Sequence, residues 1–397
     1  MINKYIVISC LVIVTILTSR PSLLGQDYTY ISFIACLLFF LILIYSDYKK
    51  IHIDIVYFIL FTLFWVSIFI TALVFDKSDF LIILKTFLSF FLVNLVIIIS
   101  MKDHIVRKRV FGFFTYYISL SGYSALITFF IYSVLGYHDI LITKLTIDGY
   151  SKAGLIYYPF SVSSGEFNVV GFTFLRFNSF IREPGIFQAI AILFYFYSKV
   201  FYEKFKFLSV GCLLAIILTF STTGLVLFLI SYGLFVFYKS QHKFRALFKV
   251  TIYFIIGVIS FLYAPYFGYF DKVKTHGASI TDRSSSIYNS LDLIQNNPFG
   301  LGYRSLDYIN NSNISLISSL GQIGIISFLF LMLIYLYPIL KLSQSKITLY
   351  FTLTSPLFLT LMFSQPIYDN PSTWFYFLGP YFILKSNENE KNISYNN

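Results

Sequence analysis

Charge is scarce in this chain. Asp, Glu, Lys and Arg make up 12% of its 397 residues, about half of the roughly 25% of an ordinary soluble domain. Cysteine is scarcer still. Cys10, Cys36 and Cys212 all lie in apolar runs with no redox or zinc spacing, which excludes a disulfide framework or a zinc fold. HExxH, CxxC, Walker and GxSxG patterns and any cluster of histidine with carboxylate are absent, so metal, ATP and serine-hydrolase chemistry have no support, and neither a metal nor a cofactor is expected. The five histidines, His52, His104, His138, His242 and His276, are scattered and read as ordinary loop or helix-end residues.

What is abundant is apolar surface. Hydrophobic residues reach 57%, mean hydropathy is +0.77, and 48 Phe with 33 Tyr carry the aromatic share to 21%. A soluble globule of this length cannot enclose that much apolar surface, whereas a bilayer hides it without a core. A hydrocarbon layer of about 30 Å takes roughly 20 helical residues. Twelve crossings are expected near 5–19, 28–46, 55–75, 80–101, 110–137, 184–202, 207–220, 224–238, 250–266, 314–340, 347–366 and 374–384. The first is read as an uncleaved anchor because it has no small-residue cleavage site. Ser221-Thr222-Thr223-Gly224 divides the long uncharged stretch from Phe207 to Tyr238 into two short helices. The expected architecture is a single all-α integral membrane domain over 1–397, with external segments at 137–183 and 267–313 and a cytoplasmic tail at 386–397.

Charge distribution supports that layout. With the amino terminus inside, the cytoplasmic connections collect 18 of the 29 basic residues and 6 of the 18 acids, as the positive-inside rule requires. The net charge of +11 therefore reports topology and contact with anionic lipid; a nucleic-acid surface is not expected. Lys85 is nearly alone within the spans, where an ionisable group is either functional or snorkelling to the interface.

Long connections in a compact protein usually carry function. The first external segment ends in Arg176-Phe-Asn-Ser-Phe-Ile-Arg182-Glu183-Pro184-Gly185. Proline at the first helical position and a preceding acid start a helix well. Arg182 beside that positive dipole end is unfavourable unless an anion is held there, since helix amino termini and arginines both attract phosphate; an internal pair with Glu183 or a headgroup contact is the plainer alternative. The second segment contributes Asp282-Arg283, then Asn297-Pro298-Phe299-Gly300-Leu301-Gly302-Tyr303-Arg304, then Asn310-Asn311-Ser312-Asn313. Arg283 and Arg304 offer forked donors, while Asp282, Tyr303, Asn311 and Asn313 offer the mixed hydrogen-bonding set that sugar hydroxyls require. Gly300 and Gly302 allow a sharp turn or a close backbone approach. Arginine makes up 5 of the 11 basic residues outside or embedded but only 3 of the 18 inside, a bias that suits diphosphate recognition better than topology alone.

In this order the motifs resemble those of the Wzy-type polymerases of lipid-linked oligosaccharide repeat units, within the superfamily that also holds the O-antigen ligases. The resemblance rests on Arg176 ahead of Glu183-Pro184-Gly185, the polar break at Ser221-Gly224, Arg283 followed by Asn297-Pro298-Phe299-Gly300-Leu301-Gly302, and a polar residue before Leu320 and Gly324. Ligases of the superfamily typically carry a histidine where this chain has Asn313, which points away from ligation, and the polar break lacks the arginine often found in relatives. The resemblance implies a GT-C-like, metal-independent inverting glycosyltransferase that joins undecaprenyl-diphosphate-linked repeat units on the outer face of a bacterial cytoplasmic membrane. It implies Arg176, Arg182 and Arg283 on the diphosphate, and Glu183 or Asp282 as acceptor base. A flippase and a chain-length regulator are the partners it suggests. A lipid-linked sugar transporter is the rival from another class; both long connections facing outward and the lack of charge along the spans count against it.

Overall fold

The computed structural model describes residues 4–25, 28–45, 54–75, 80–145, 154–169, 172–263, 270, 285–302, 315–365 and 367–394. Helices dominate: α1 (Lys4–Leu17), α2 (Thr29–Tyr45), α3 (Ile55–Phe75), α4 (Phe80–Lys102), α5 (His104–Phe129), α6 (Pro184–Phe201), α7 (Lys206–Leu218), α8 (Thr222–Lys239), α9 (Lys243–Tyr263), α10 (285–296), α11 (Leu320–Leu336), α12 (Gln344–Phe363) and α13 (Thr373–Ser394). All twelve apolar runs coincide with helices, and α10 lies within the second long segment. Among the described residues, seven helical stretches are long and apolar enough to cross a membrane, with α1, α2 and α7 as shorter apolar helices. This is an all-α polytopic membrane body.

Small residues set the closest helix contacts. A Cβ on Gly122 of α5 would lie 2.0 Å from Gly211 O of α7, and one on Gly211 would lie 2.2 Å from Ser119 Oγ. Backbones that near explain how α5 and α7 pack without a hydrophobic driving force between them, since lipid is as apolar as leucine. Aromatic rings fill the wider gaps: Phe111 and Phe114 of α5 meet Phe375 of α13 at centroid distances of 4.8 and 5.4 Å. Of the seven candidate spans α6 is the most enclosed, with 78% of its residues buried. Its amino terminus carries Glu183 and Pro184.

Connections at the two ends of the bundle sort cleanly. At the basic end, Lys385 pairs with Asp54 at 3.2 Å, Lys239 with Glu203 at 2.8 Å, and Arg107 donates to Ser386 Oγ at 2.9 Å. The carboxy-terminal part of α13 thus sits with the α2–α3 connection, which settles its place relative to the other helix ends. At the opposite end, Leu23 N donates to Phe180 O at 2.8 Å, Arg182 N to Pro21 O at 3.1 Å, Ser372 N to Arg20 O at 3.2 Å and Leu316 N to Leu361 O at 2.9 Å. Lys85 is exposed in the second turn of α4, the placement of a snorkelling lysine.

The first long segment contains a feature that the sequence reading lacks. It folds as an antiparallel meander, β1 (Leu141–Lys144), β2 (Leu155–Tyr157), β3 (Ser161–Val169) and β4 (Phe172–Phe177), in the order β1-β2-β3-β4. Beyond Phe129, α5 continues as a π-helical turn through Val134. Thr128 Oγ1 of α5 lies 2.6 Å from Tyr158 O and from Ser161 Oγ, and Ser124 donates to Pro159 O at 3.1 Å. Tyr132 donates to Glu166 Oε1 at 2.8 Å. Leu175, Phe177, Tyr157 and Tyr132 close a small apolar cluster beneath the sheet with Ala125 and Leu218. The segment is thereby held as a cap on the end of α5.

Candidate functional site

Strand β4 delivers Arg176, and the turn after it delivers Arg182 and Glu183. Leu175 and Phe177 point down into the buried cluster, so the pleat turns Arg176 to the accessible face. Surrounding protein nevertheless lowers its guanidinium below the usual arginine value, while the nearby Glu183 carboxylate acts in the opposite direction. Arg182 Nε lies 4.0 Å from Glu183 Oε1. Glu183 therefore faces both arginines, which spaces two cations around one acid at the amino-terminal end of α6.

The sequence between them is shaped by backbone rather than by side-chain caps. Glu183 is the N-cap residue in extended geometry, with no side-chain cap bond, and Pro184 opens the helix. Asn178 Nδ2 donates to Ile181 O at 2.7 Å, Asn178 N donates to Val162 O at 3.1 Å, and Ser179 holds a positive φ of 49°. This tight turn reverses the chain from the sheet into α6. Ser22 and Ile181 add a single antiparallel bridge, so the α1–α2 connection braces the turn from one side and Ser372 braces that connection in turn.

Three buried polar atoms lie in the turns at this end of the bundle. Asn178 Oδ1, Asn370 Nδ2 and Thr373 Oγ1 are buried without a protein hydrogen-bond partner, and each residue is at most 2% exposed. A buried polar atom left without any partner costs about 1–3 kcal/mol. A cleft of about 320 Å³ opens alongside, between α5 and the sheet, with Tyr117, Ser121, Ser124, Phe160, Phe177 and Ser179 on its walls.

The second segment is tied to the same end. Gly300 has φ +87° and Gly324, inside α11, has φ +76° and ψ 165°. Leu301 N donates to Gly321 O at 2.9 Å, Gly302 N to Gln322 O at 3.2 Å and Ile325 N to Pro298 O at 2.9 Å. A Cβ on Gly324 would stand 2.2 Å from Phe299 O, and one on Gly300 2.3 Å from Gln322 O. The close approach that these glycines permit is thus to the broken start of α11, giving a backbone clasp. Tyr368 OH lies 3.5 Å from Gln322 Oε1, and the 367–373 turn runs on to Asn370, Thr373 and Arg20. Hydrogen bonds thus run from the start of α11 through Tyr368, from Ser372 to Arg20 O, and from Arg182 N to Pro21 O. Asp282, Arg283, Tyr303, Arg304, Asn311 and Asn313 lie outside the described residues.

The polar break at 221–224 has a packing role. Gln188 of α6 donates through Nε2 to Ile216 O at 3.0 Å and Ser221 O at 3.2 Å, and Gly224 leaves the space its amide fills. His138 packs edge-on against Tyr132 at 4.4 Å. Burial, then the adjoining Glu166, push the Tyr157 phenol up to about 12, and the described Glu166–Tyr132–Tyr157 group anchors the sheet. Asn178, Asn370 and Thr373 were not singled out from sequence; the run Asp369-Asn370-Pro371-Ser372-Thr373 was the available signal, a dense polar cluster between two apolar runs.

Residues 207–319 match the model of the O-antigen ligase family. The match covers α7 to α10 and the second long segment to the threshold of α11, and it is consistent with the O-antigen polymerase/ligase superfamily. It leaves Arg176, Arg182 and Glu183 outside its bounds. It supports an O-antigen ligase/polymerase-type membrane function in cell-surface polysaccharide synthesis. No curated protein and no solved structure matches the chain.

Proposed function

We propose that the protein polymerises undecaprenyl-diphosphate-linked oligosaccharide repeat units into surface polysaccharide at the outer face of the cytoplasmic membrane. The observation that carries this reading is the grouping of Arg176, Arg182 and Glu183 at the buried amino terminus of α6. In the reaction, an acceptor sugar hydroxyl attacks the anomeric carbon of the donor from the face opposite the diphosphate. A new carbon–oxygen bond forms, the bond to the diphosphate oxygen breaks, the hydroxyl proton passes to a base, and undecaprenyl diphosphate departs. Charge develops on that leaving group, and fixed guanidinium donors stabilise it where it develops. Arg176 and Arg182, with Arg283 brought in by the second segment, would hold the diphosphate. Glu183 orients the arginines or takes the proton, and Asp282 is the other candidate base. Gly302, Tyr303, Arg304, Asn311 and Asn313 belong to the segment that would meet the sugars, with Gly300 shaping its entry. The cleft beside Ser179, walled by Tyr117, Phe160 and Phe177 with Ser121 and Ser124, would take the first isoprene units.

The ligase reading shares the donor chemistry and is favoured by the likeness of residues 207–319 to the O-antigen ligase family. Purified protein in lipid nanodiscs, given a lipid-linked repeat unit alone, separates them. A ladder of products lengthening by one unit is expected; an unextended substrate that is consumed only when a second, different acceptor is added would replace polymerisation by ligation.

A further inference from the structure

At the tip of the β2–β3 hairpin, Phe160 is 77% exposed and Tyr158 is 55% exposed. Phe160 also holds a φ of 82°, a left-handed conformation that a bulky residue keeps only when its surroundings hold it there. In water neither property is favourable. Residues 153–165 carry no charge. The backbone of the tip is nonetheless closed off. Tyr158 N donates to Ile140 O at 2.9 Å and Phe160 N to Tyr157 O at 2.7 Å, while Tyr158 O accepts from Thr128 Oγ1 at 2.6 Å and Pro159 O from Ser124 Oγ at 3.1 Å. Proline brings no N–H of its own. A turn in water has no need of such partners, because solvent satisfies it; irregular backbone at membrane depth does, because hydrocarbon offers none.

The helix that supplies those hydroxyls sets the depth of the tip. Residues 110–137 are uncharged. A crossing takes about 20 residues, so the earliest window in that run ends near 129 and the latest begins near 118. Leu120, Ser124 and Thr128 lie inside every such window. The polar level is marked by Tyr132, whose phenol donates to Glu166; Ser124 lies two turns below it, roughly 12 Å along the helix. Leu120 is 60% exposed and lines the same cleft as Phe160. We infer that Tyr158-Pro159-Phe160 is a membrane-inserted lip whose rings are solvated by lipid acyl chains, and that the cleft behind it opens sideways into the bilayer. An aqueous vestibule would leave Phe160 and Leu120 in water and make the bonds from Ser124 and Thr128 superfluous. The insertion is independent of the reaction. Its consequence for polymerisation rests on the proposed function: a lipid-linked chain would reach the cleft by lateral movement, with its isoprene units never passing through water.

Tryptophan emission reads the position of the tip directly. Phe160→Trp and Tyr158→Trp each add one indole to the buried Trp65 and Trp374, and either variant suffices if the other misfolds. Phe172→Trp is the aqueous control: Phe172 stands opposite Val169, which is eight residues along β3 from Ser161 and so roughly 26 Å away. The full-length proteins are reconstituted into phosphatidylcholine vesicles with plain or brominated acyl chains, and the emission added over wild type is measured with and without acrylamide. Brominated chains should cut the added emission of the tip variants at least twofold while acrylamide changes it little, and the control should show the reverse. Tip emission that acrylamide quenches as strongly as that of the control, with no effect of bromine, would overturn the insertion and make the cleft a water-filled one. Neither readout involves catalysis, so failure of the proposed function would leave this result unchanged.

Discussion

Replacing Gly324 by alanine tests how the second long segment is fastened. The residue sits at φ +76° and ψ 165°, a region that only glycine occupies comfortably and that costs any other residue about 1–3 kcal/mol. The added methyl would also stand 2.2 Å from Phe299 O and 2.9 Å from Gly300 N. Both contacts are backbone, so no side-chain rotation relieves them. The clasp must then open, giving up the bonds of Leu301, Gly302 and Ile325 to their carbonyl partners at roughly 1 kcal/mol each. The two contributions together reach about 4–6 kcal/mol, enough to release the segment while leaving the helices inserted. Limited proteolysis in nanodiscs should show new cleavage within 297–302, with loss of polymer and an unchanged level of membrane-inserted protein. A Gly324→Ala protein that keeps wild-type protease resistance and product length would refute the clasp.

Other outcomes follow from the same structure. Arg176→Lys keeps the charge but not the fork, and should lower in vitro polymerisation by about a hundredfold, close to the effect of Arg176→Ala; lysine rescue would reduce the residue to a point charge. Gly224→Ala should destabilise by about 1–3 kcal/mol through expulsion of the Gln188 amide, and adding Gln188→Ala should recover part of that in a thermal melt. Tyr157 titrates normally near 10.0 when unfolded and near 12 when folded, so the unfolded state releases its proton first and the sheet's stability falls as pH climbs between those values. Tyr157→Phe should flatten that alkaline loss, measured by protease sensitivity of 154–177, while leaving behaviour at neutral pH close to wild type.

The membrane body was legible in the amino-acid order because apolar length is a nearly sufficient signal for a helix in lipid: all twelve runs coincide with helices, even where Ser221-Gly224 interrupts one. The sheet was not legible. Its strands are short, and Ser161-Val-Ser-Ser-Gly-Glu-Phe-Asn-Val169 mixes small polar residues with only a partial alternation, so its stability comes from Thr128, Tyr132 and Ser124 of α5, long-range contacts that a local pattern does not record. Arg176, Arg182 and Glu183 could be picked out because cations before a helix start contradict its dipole. Their spatial grouping could not, since it depends on the Ser179 turn. The 367–373 turn escaped notice for the opposite reason: its residues look like an ordinary connection, and only the contacts to Arg20 and Gln322 reveal that it bridges the α1–α2 connection and the start of α11.

The most direct test of the account is donor binding by the arginine pair. Purified wild type and Arg176→Ala/Arg182→Ala protein, matched for insertion and melting temperature, should be titrated with undecaprenyl diphosphate in nanodiscs and assayed for extension of a lipid-linked repeat unit. Saturable diphosphate binding and a polymer ladder are expected for the wild type, with both lost in the double variant. A double variant that binds undecaprenyl diphosphate and extends chains as the wild type does would contradict the central claim.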